Sequence, residues 1–185
     1  MTTVLEPNLL TAEEYGRLPD DGRLTELVRG RIVEVNRPFT SHGYLMSRIS
    51  ALLWQFVDQH ELGRVVSGDA GIVTQRDPDS VHGPDIAFYS YNRIPRGPRP
   101  DGYWPASPEL VIEIRSKDDQ WKEIHQKVAE YLSADVLIVA VVDPEPQRVH
   151  LFSADRDTVV LNSSDKLIFP DVLPGFEIVV ERLFE

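Results

Sequence analysis

Apolar residues recur at three- and four-residue spacing through Leu45, Ile49, Leu52, Leu53 and Phe56, which predicts a long amphipathic helix from about Ser41 to His60. Upstream, Thr11 and Glu14 stand in capping-box spacing and Pro19 closes the segment, so Thr11 to Leu18 reads as a short helix. Leu24–Val28 and Ile32–Val35 read as two strands around an Arg29-Gly30 turn. Short strands are expected near Arg64–Ser67, Gly71–Gln75 and Asp85–Tyr89. The stretch from Ser90 to Pro108 carries Pro95, Pro98, Pro100, Pro105 and Pro108 and reads as an irregular loop. Glu109–Arg115 then reads as a strand and Asp119 to Leu132 as a helix. Val136–Val142 is a continuous apolar run, as expected of a strand buried on both faces. Arg148–Phe152 follows as a strand, and further short strands run to Phe176–Val180. Strand, helix, buried strand is a crossover pattern, so the chain is expected to be an α/β protein with a mixed central sheet flanked by helices.

The 185 residues, 42% of them apolar, suit one domain over 1–185 with a sizeable core. With no cysteine, a disulfide scaffold, a zinc ribbon and thiol chemistry are excluded. The sequence presents no signal-peptide pattern and no apolar stretch near the roughly 20 residues of a membrane span, so a soluble, cytoplasmic protein without membrane association is expected. The net charge of −11 argues against a protein that coats nucleic acid, although a basic strip or a bound divalent cation can reverse the field at one site.

Candidate chemistry concentrates on Leu110-Val111-Ile112-Glu113-Ile114. Alternation puts Glu113 on one face with Val111 and Arg115, and a carboxylate in such an apolar run costs several kcal/mol unless cations or donors meet it. A structural salt bridge would satisfy Glu113. Asp85, in Pro84-Asp85, opens the preceding strand, where an Asp is often a turn residue. Together the two carboxylates can converge on one divalent cation, and their hard oxygens suit Mg²⁺, with Mn²⁺ as a substitute. A phosphodiesterase site also needs a cation near the attacking water. Arg115 can hold a phosphate but hardly deprotonates. Lys127 falls at the edge of the apolar stripe Trp121, Ile124, Val128, Tyr131 and Leu132, where it can snorkel toward the carboxylates or remain a solvated lysine. The histidines His42, His60, His82, His125 and His150 show no zinc-ligand spacing. Tyr91, Arg93, Arg96, Arg99, Tyr103 and Trp104 interleave in the Pro-rich loop, where they would grip nucleic acid or form an oligomer contact.

An ordered set of motifs runs over nearly the whole chain: Thr11-Ala12-Glu13-Glu14-Tyr15, Glu26-Leu27-Val28-Arg29-Gly30, Ser41-His42 and Pro84-Asp85. It continues through Leu110 to Ser116, Lys127-Val128-Ala129-Glu130-Tyr131, Val142-Asp143-Pro144 and Leu173-Pro174-Gly175-Phe176. In this set the chain resembles the Uma-type putative restriction endonucleases, a branch of the PD-(D/E)XK nuclease superfamily. The resemblance implies a restriction-endonuclease-like core with Asp85 and Glu113 as metal ligands. It also implies Glu26 as an acidic residue from an early element and Lys127 as the site lysine moved onto the helix after the strand. His42 matches the family as a residue able to contact substrate, and equally it is a helix-start residue. The family usually has Pro after Ser116. Here Lys117 stands there and competes for the cationic role.

Two functions follow as expectations. One is a Mg²⁺-dependent endonuclease acting on nucleic acid, DNA by preference, in which Asp85 and Glu113 bind the metal, Glu26 assists, Lys127 orients or activates water and Arg115 steadies the phosphate. The other is an inactive nuclease-fold binding or regulatory protein. Exposed-looking Tyr103 and Trp104 in a short chain suggest a homodimer.

Overall fold

The computed structural model describes residues 9–185. A six-stranded sheet carries the architecture: β3 (Gly63–Ser67), β6 (Ile86–Ser90), β7 (Leu110–Ile114), β8 (Ile138–Asp143), β9 (Arg148–Phe152) and β10 (Val159–Leu161), in the spatial order β10-β9-β8-β7-β6-β3. Within it β7 and β8 run parallel, Leu110 beside Ile138 and Ile114 beside Val142, while the other neighbours are antiparallel. The parallel pair needs a crossover, which α3 (Trp121–Ser133) supplies. The sheet is therefore mixed and flanked by helices, as the sequence pattern predicts.

Alternation along the central strands assigns the two faces. Ile86, Phe88, Leu110, Ile112, Ile114, Ala140 and Val142 pack with Leu45, Ile49, Leu53 and Val57 of α2 (Thr40–Gln59). A C-terminal two-stranded ribbon, β11 (Lys166–Phe169) with β12 (Leu173–Val179), and a final 3₁₀ turn, Val180–Leu183, close that same core. Ala87, Tyr89, Val111, Val139 and Val141 point the other way, onto Val128 and Tyr131 of α3.

A separate four-stranded sheet orders β2 (Arg31–Glu34), β1 (Thr25–Val28), β5 (Ser80–His82) and β4 (Ile72–Gln75). Arg29 and Gly30, at φ 49° and 75°, make the tight β1–β2 turn in the left-handed region that hairpin turns require. The short helix α1 (Ala12–Tyr15) has its capping box made: Glu14 N–H donates to Thr11 Oγ1 at 3.1 Å, and Thr11 N–H donates to the Glu14 carboxylate at 2.9 Å. Strand β5 is not predicted by the sequence pattern, because three residues before Gly83-Pro84 are too few to show a period.

The Pro-rich loop differs from the sequence reading. Trp104 packs edge-on against Tyr89 with centroids 4.6 Å apart, and Tyr103 fills the space beside Gly71, where a Cβ would lie 2.6 Å from its ring. Both are half-buried, so the exposure that motivated a dimer through these rings does not hold. Arg64 donates to the carbonyls of Ile94, Pro95 and Gly97, and Arg93 to those of Ser107 and Asp135. The loop leaves β6 after Ser90, the end of that strand away from Asp85. Much of its basic and aromatic content thus ties the loop to the body of the protein.

Candidate functional site

Two strand ends and one helix build the site. Pro84 and Asp85 lead into β6, Glu113 is the penultimate residue of β7, and the β6–β7 register of Ile86 with Ile112 extends by one step to put Asp85 across from Glu113. Directly opposite residues in an antiparallel pair share a face, with Cβ atoms about 5 Å apart. That face is covered by α3. Lys127 extends from α3 and places Nζ 3.1 Å from Glu113 Oε1 and 3.0 Å from Glu26 Oε1. Glu26 belongs to β1, so the lysine bridges the two sheets.

Among the described residues each carboxylate has one oxygen that is weakly engaged or not engaged. Asp85 Oδ2 accepts the Ile114 N–H at 2.6 Å, while Oδ1 meets His42 Nε2 at the longer distance of 3.4 Å. Glu113 Oε1 accepts the Tyr131 hydroxyl at 2.8 Å and the Lys127 ammonium, and Oε2 accepts no hydrogen bond among the described residues. Two hard oxygens left over on facing carboxylates fit a Mg²⁺-like cation, which takes few protein ligands and keeps its waters. Among the described residues no group of three or more His, Asp and Glu side chains is arranged as a complete metal cage. A cation here would draw its remaining ligands from water, backbone or substrate.

Burial governs the charges. Glu113 is raised to about 7 chiefly by desolvation, with Asp85 adding to the rise and Lys127 opposing it. Burial alone would raise Glu26 as well, but the hydrogen bond from His82 and the charge of Lys127 hold it down to about 2. Desolvation works against the Lys127 ammonium, yet Glu113 and Glu26 more than compensate and its pKa rises. The pair of carboxylates thus favours the ammonium form of Lys127.

Behind Glu26 lies a clamp that sequence reasoning missed. Buried His82, the last residue of β5, has Nδ1 2.8 Å from Glu26 Oε2 and Nε2 2.6 Å from Glu130 Oε2. The two carboxylates raise its pKa against the opposing effect of burial. Glu130 lies one turn beyond Lys127 on α3, so the clamp fixes both the carboxylate and the helix that present the ammonium. Next to it, Gly83 N–H donates to Glu26 Oε1 at 3.0 Å, and a Cβ on Gly83 would lie 2.6 Å from the Asp69 carbonyl, so only glycine fits. Asp69 is a further acid near Asp85, with its pKa raised by burial and by that neighbour. The missed signal was proximity: His82 and Gly83 immediately precede Pro84-Asp85.

Two of the sequence-predicted substrate residues are otherwise engaged. Arg115 lies beyond the end of β7 and pairs with Asp143 at 3.2 Å, donating also to the Asp119 carbonyl at 3.3 Å. It does not reach the two carboxylates as strand alternation implied. His42, in the first turn of α2, places Nε2 2.9 Å from the Ile114 carbonyl oxygen and 3.4 Å from Asp85 Oδ1. It stands where β7 ends, at the edge of the site. Lys117, the rival cation, lies over the Phe39 ring at 5.3 Å, away from this cluster.

The chain shares its fold with a crystal structure described as a putative nuclease from Anabaena variabilis: TM-score 0.80 at 20% identity, covering 95% of this chain and 97% of that one. The model of the Uma2 family, described as "Putative restriction endonuclease", matches residues 12–181. No curated protein matches. Among the described residues no helix is long and apolar enough to cross a membrane.

Proposed function

The chain belongs to the Uma2 family of putative restriction endonucleases, and from that premise we propose that it hydrolyses phosphodiester bonds of DNA with the help of a divalent cation. The observation that carries this reading is the Lys127 ammonium held between Glu113 and Glu26, beside the facing Asp85. Asp85 and Glu113 would hold Mg²⁺, or Mn²⁺ in its place, through Glu113 Oε2 and through Asp85 Oδ1, the oxygen that His42 meets at 3.4 Å. The bound ion supplies Lewis acidity toward a phosphoryl oxygen and lowers the pKa of water. Lys127, charged throughout the neutral range, offers an N–H donor and a positive charge where a phosphorane-like transition state gains negative charge. It orients water and does not remove a proton from it. Glu26 keeps the ammonium in place, and Tyr131 fixes the Glu113 carboxylate through its hydroxyl.

The runner-up reading, a nuclease fold that binds without turnover, draws support from the net charge of −11. Plasmid nicking at low salt in Mg²⁺ or Mn²⁺ separates the two. Cleavage by the native chain that is lost in Glu113→Gln and in Lys127→Ala supports the enzyme. Metal binding that requires both carboxylates, with no cleavage of any DNA or RNA offered, leaves the binding protein.

A further inference from the structure

A cavity of about 490 Å³, lined by neither Asp85 nor Glu113, opens at the carboxyl ends of the parallel strands β7 and β8. Crevices at that end of parallel strands are the usual ligand sites of α/β sheets. His42 lines this cavity and also meets Asp85 Oδ1 at 3.4 Å, so one side chain joins the cavity wall to Asp85. At its mouth stands Phe39, 64% exposed, without a ring partner among the described residues and with Lys117 Nζ 5.3 Å from its centroid. An aromatic face this open, with a cation beside it, is a stacking platform.

We propose that this cavity receives one unpaired nucleobase of the substrate strand, stacked on Phe39, next to the phosphodiester bond that is cut. The inference rests on the nuclease reading and narrows its substrate to nucleic acid with an unstacked nucleotide. The lining does not select an anion, because Asp143 and Glu145 stand against Arg115 and Lys117, and Arg115 is already paired with Asp143. A base is neutral and planar, and carboxylate acceptors suit the exocyclic amino groups of cytosine and adenine. The volume lies within the range of small-ligand sites and holds one base with room for water. Bases inside a perfect duplex cannot enter, and extrusion is least costly where a nucleotide is mismatched or already single-stranded.

Fluorescence anisotropy tests this with the full chain in Ca²⁺, a hard cation that takes the same oxygen ligands. The probes are a single-stranded DNA oligonucleotide, its perfect duplex and the duplex with one mismatch. The native chain should bind the single strand and the mismatched duplex more tightly than the perfect duplex. Phe39→Ala should weaken single-strand binding about tenfold, within the range for loss of one base–aromatic stack, and Phe39→Trp should retain it. Phe39 is exposed, so an unchanged melting temperature of the variants shows that the fold is kept. Equal affinity of the native chain for single strand and perfect duplex, or an unaltered Phe39→Ala, overturns the base pocket and leaves the nuclease reading standing. No binding of any probe, together with no plasmid nicking in Mg²⁺, overturns both.

Discussion

Asp85 faces Glu113 across the ladder of β6 and β7, one step beyond the Ile86–Ile112 pair. Two acids at adjacent strand ends repel each other unless a cation or a proton intervenes, and Lys127 contacts the Glu113 oxygen that already accepts from Tyr131. Mg²⁺ should therefore stabilise the fold by about 2.7 kcal/mol at a hundredfold excess over Kd, since it binds the native state alone, and so raise the melting temperature. Asp85→Ala or Glu113→Gln should remove that increment and the metal-dependent cleavage together. Thermal melts with and without Mg²⁺, beside calorimetric titration, check it, and an increment that survives both substitutions places the metal elsewhere.

Glu113 also predicts a pH dependence. Its carboxyl is raised from 4.5 to about 7 by burial, so the folded chain binds this proton more tightly than the unfolded one. Stability contributed by the protonated form is full below about pH 4.5 and falls away as pH rises toward 7. Glu113→Gln removes that slope. The variant should gain on the native chain as pH rises from 5 to 8, by roughly 3 kcal/mol at the upper limit. Urea melts across that interval without metal give the answer, and a constant difference between the two chains contradicts the raised carboxyl.

Lys127→Ala should lower kcat by about 10² to 10³, the range for removing one preorganised charged donor, with little change in metal affinity. Lys117→Ala and Lys122→Ala should leave turnover at saturating substrate nearly unchanged, since neither is among the ion-pair partners of the acidic cluster. A reversed pattern, with Lys117 essential, moves the cationic role to the loop after β7.

His82→Ala leaves Glu26 and Glu130 without the buried group between them, a loss of about 3 kcal/mol by analogy with broken buried ion pairs. The pKa of His82 is raised by Glu26 and Glu130, with burial and Lys127 opposing. Its charge therefore stabilises the fold fully below the ordinary histidine value near 6.5, and that contribution is lost as pH rises through the higher folded value. The cost of His82→Ala should be larger at pH 6 than at pH 9. Equal costs at both would mean that the imidazole acts only by packing.

The sequence made part of this legible through periodicity. Asp85 and Glu113 stand out because they interrupt apolar strands, and the run Val136–Val142 announces the buried parallel partner. Lys127 could be placed because a helix has a fixed angular step, and the edge of the stripe is where a long side chain turns inward. Alternation could not place the Arg115 guanidinium, because β7 ends at Ile114 and Asp143 at the end of β8 pairs with it. His82 and Glu130 stayed hidden because their meeting depends on how one sheet lies against the helix of the other, and no local period records that. The Pro-rich loop misled in the same way, since half-burial of Tyr103 and Trp104 is decided by distant partners such as Gly71 and Tyr89.

His82, Glu26, Lys127 and Glu113 come from four different elements of the fold, and in that order each holds the next. A growing polypeptide on the ribosome carries Glu26, His82 and Glu113 before α3 has emerged, yet it has no ammonium to set between the two acids. Until that helix docks, two acids of the cluster lack their shared cation and the base of the site is open to water. Under the proposed nuclease function a half-made copy of the protein should thus be inert toward nucleic acid, and the site should arise late, as a product of the closing of the fold.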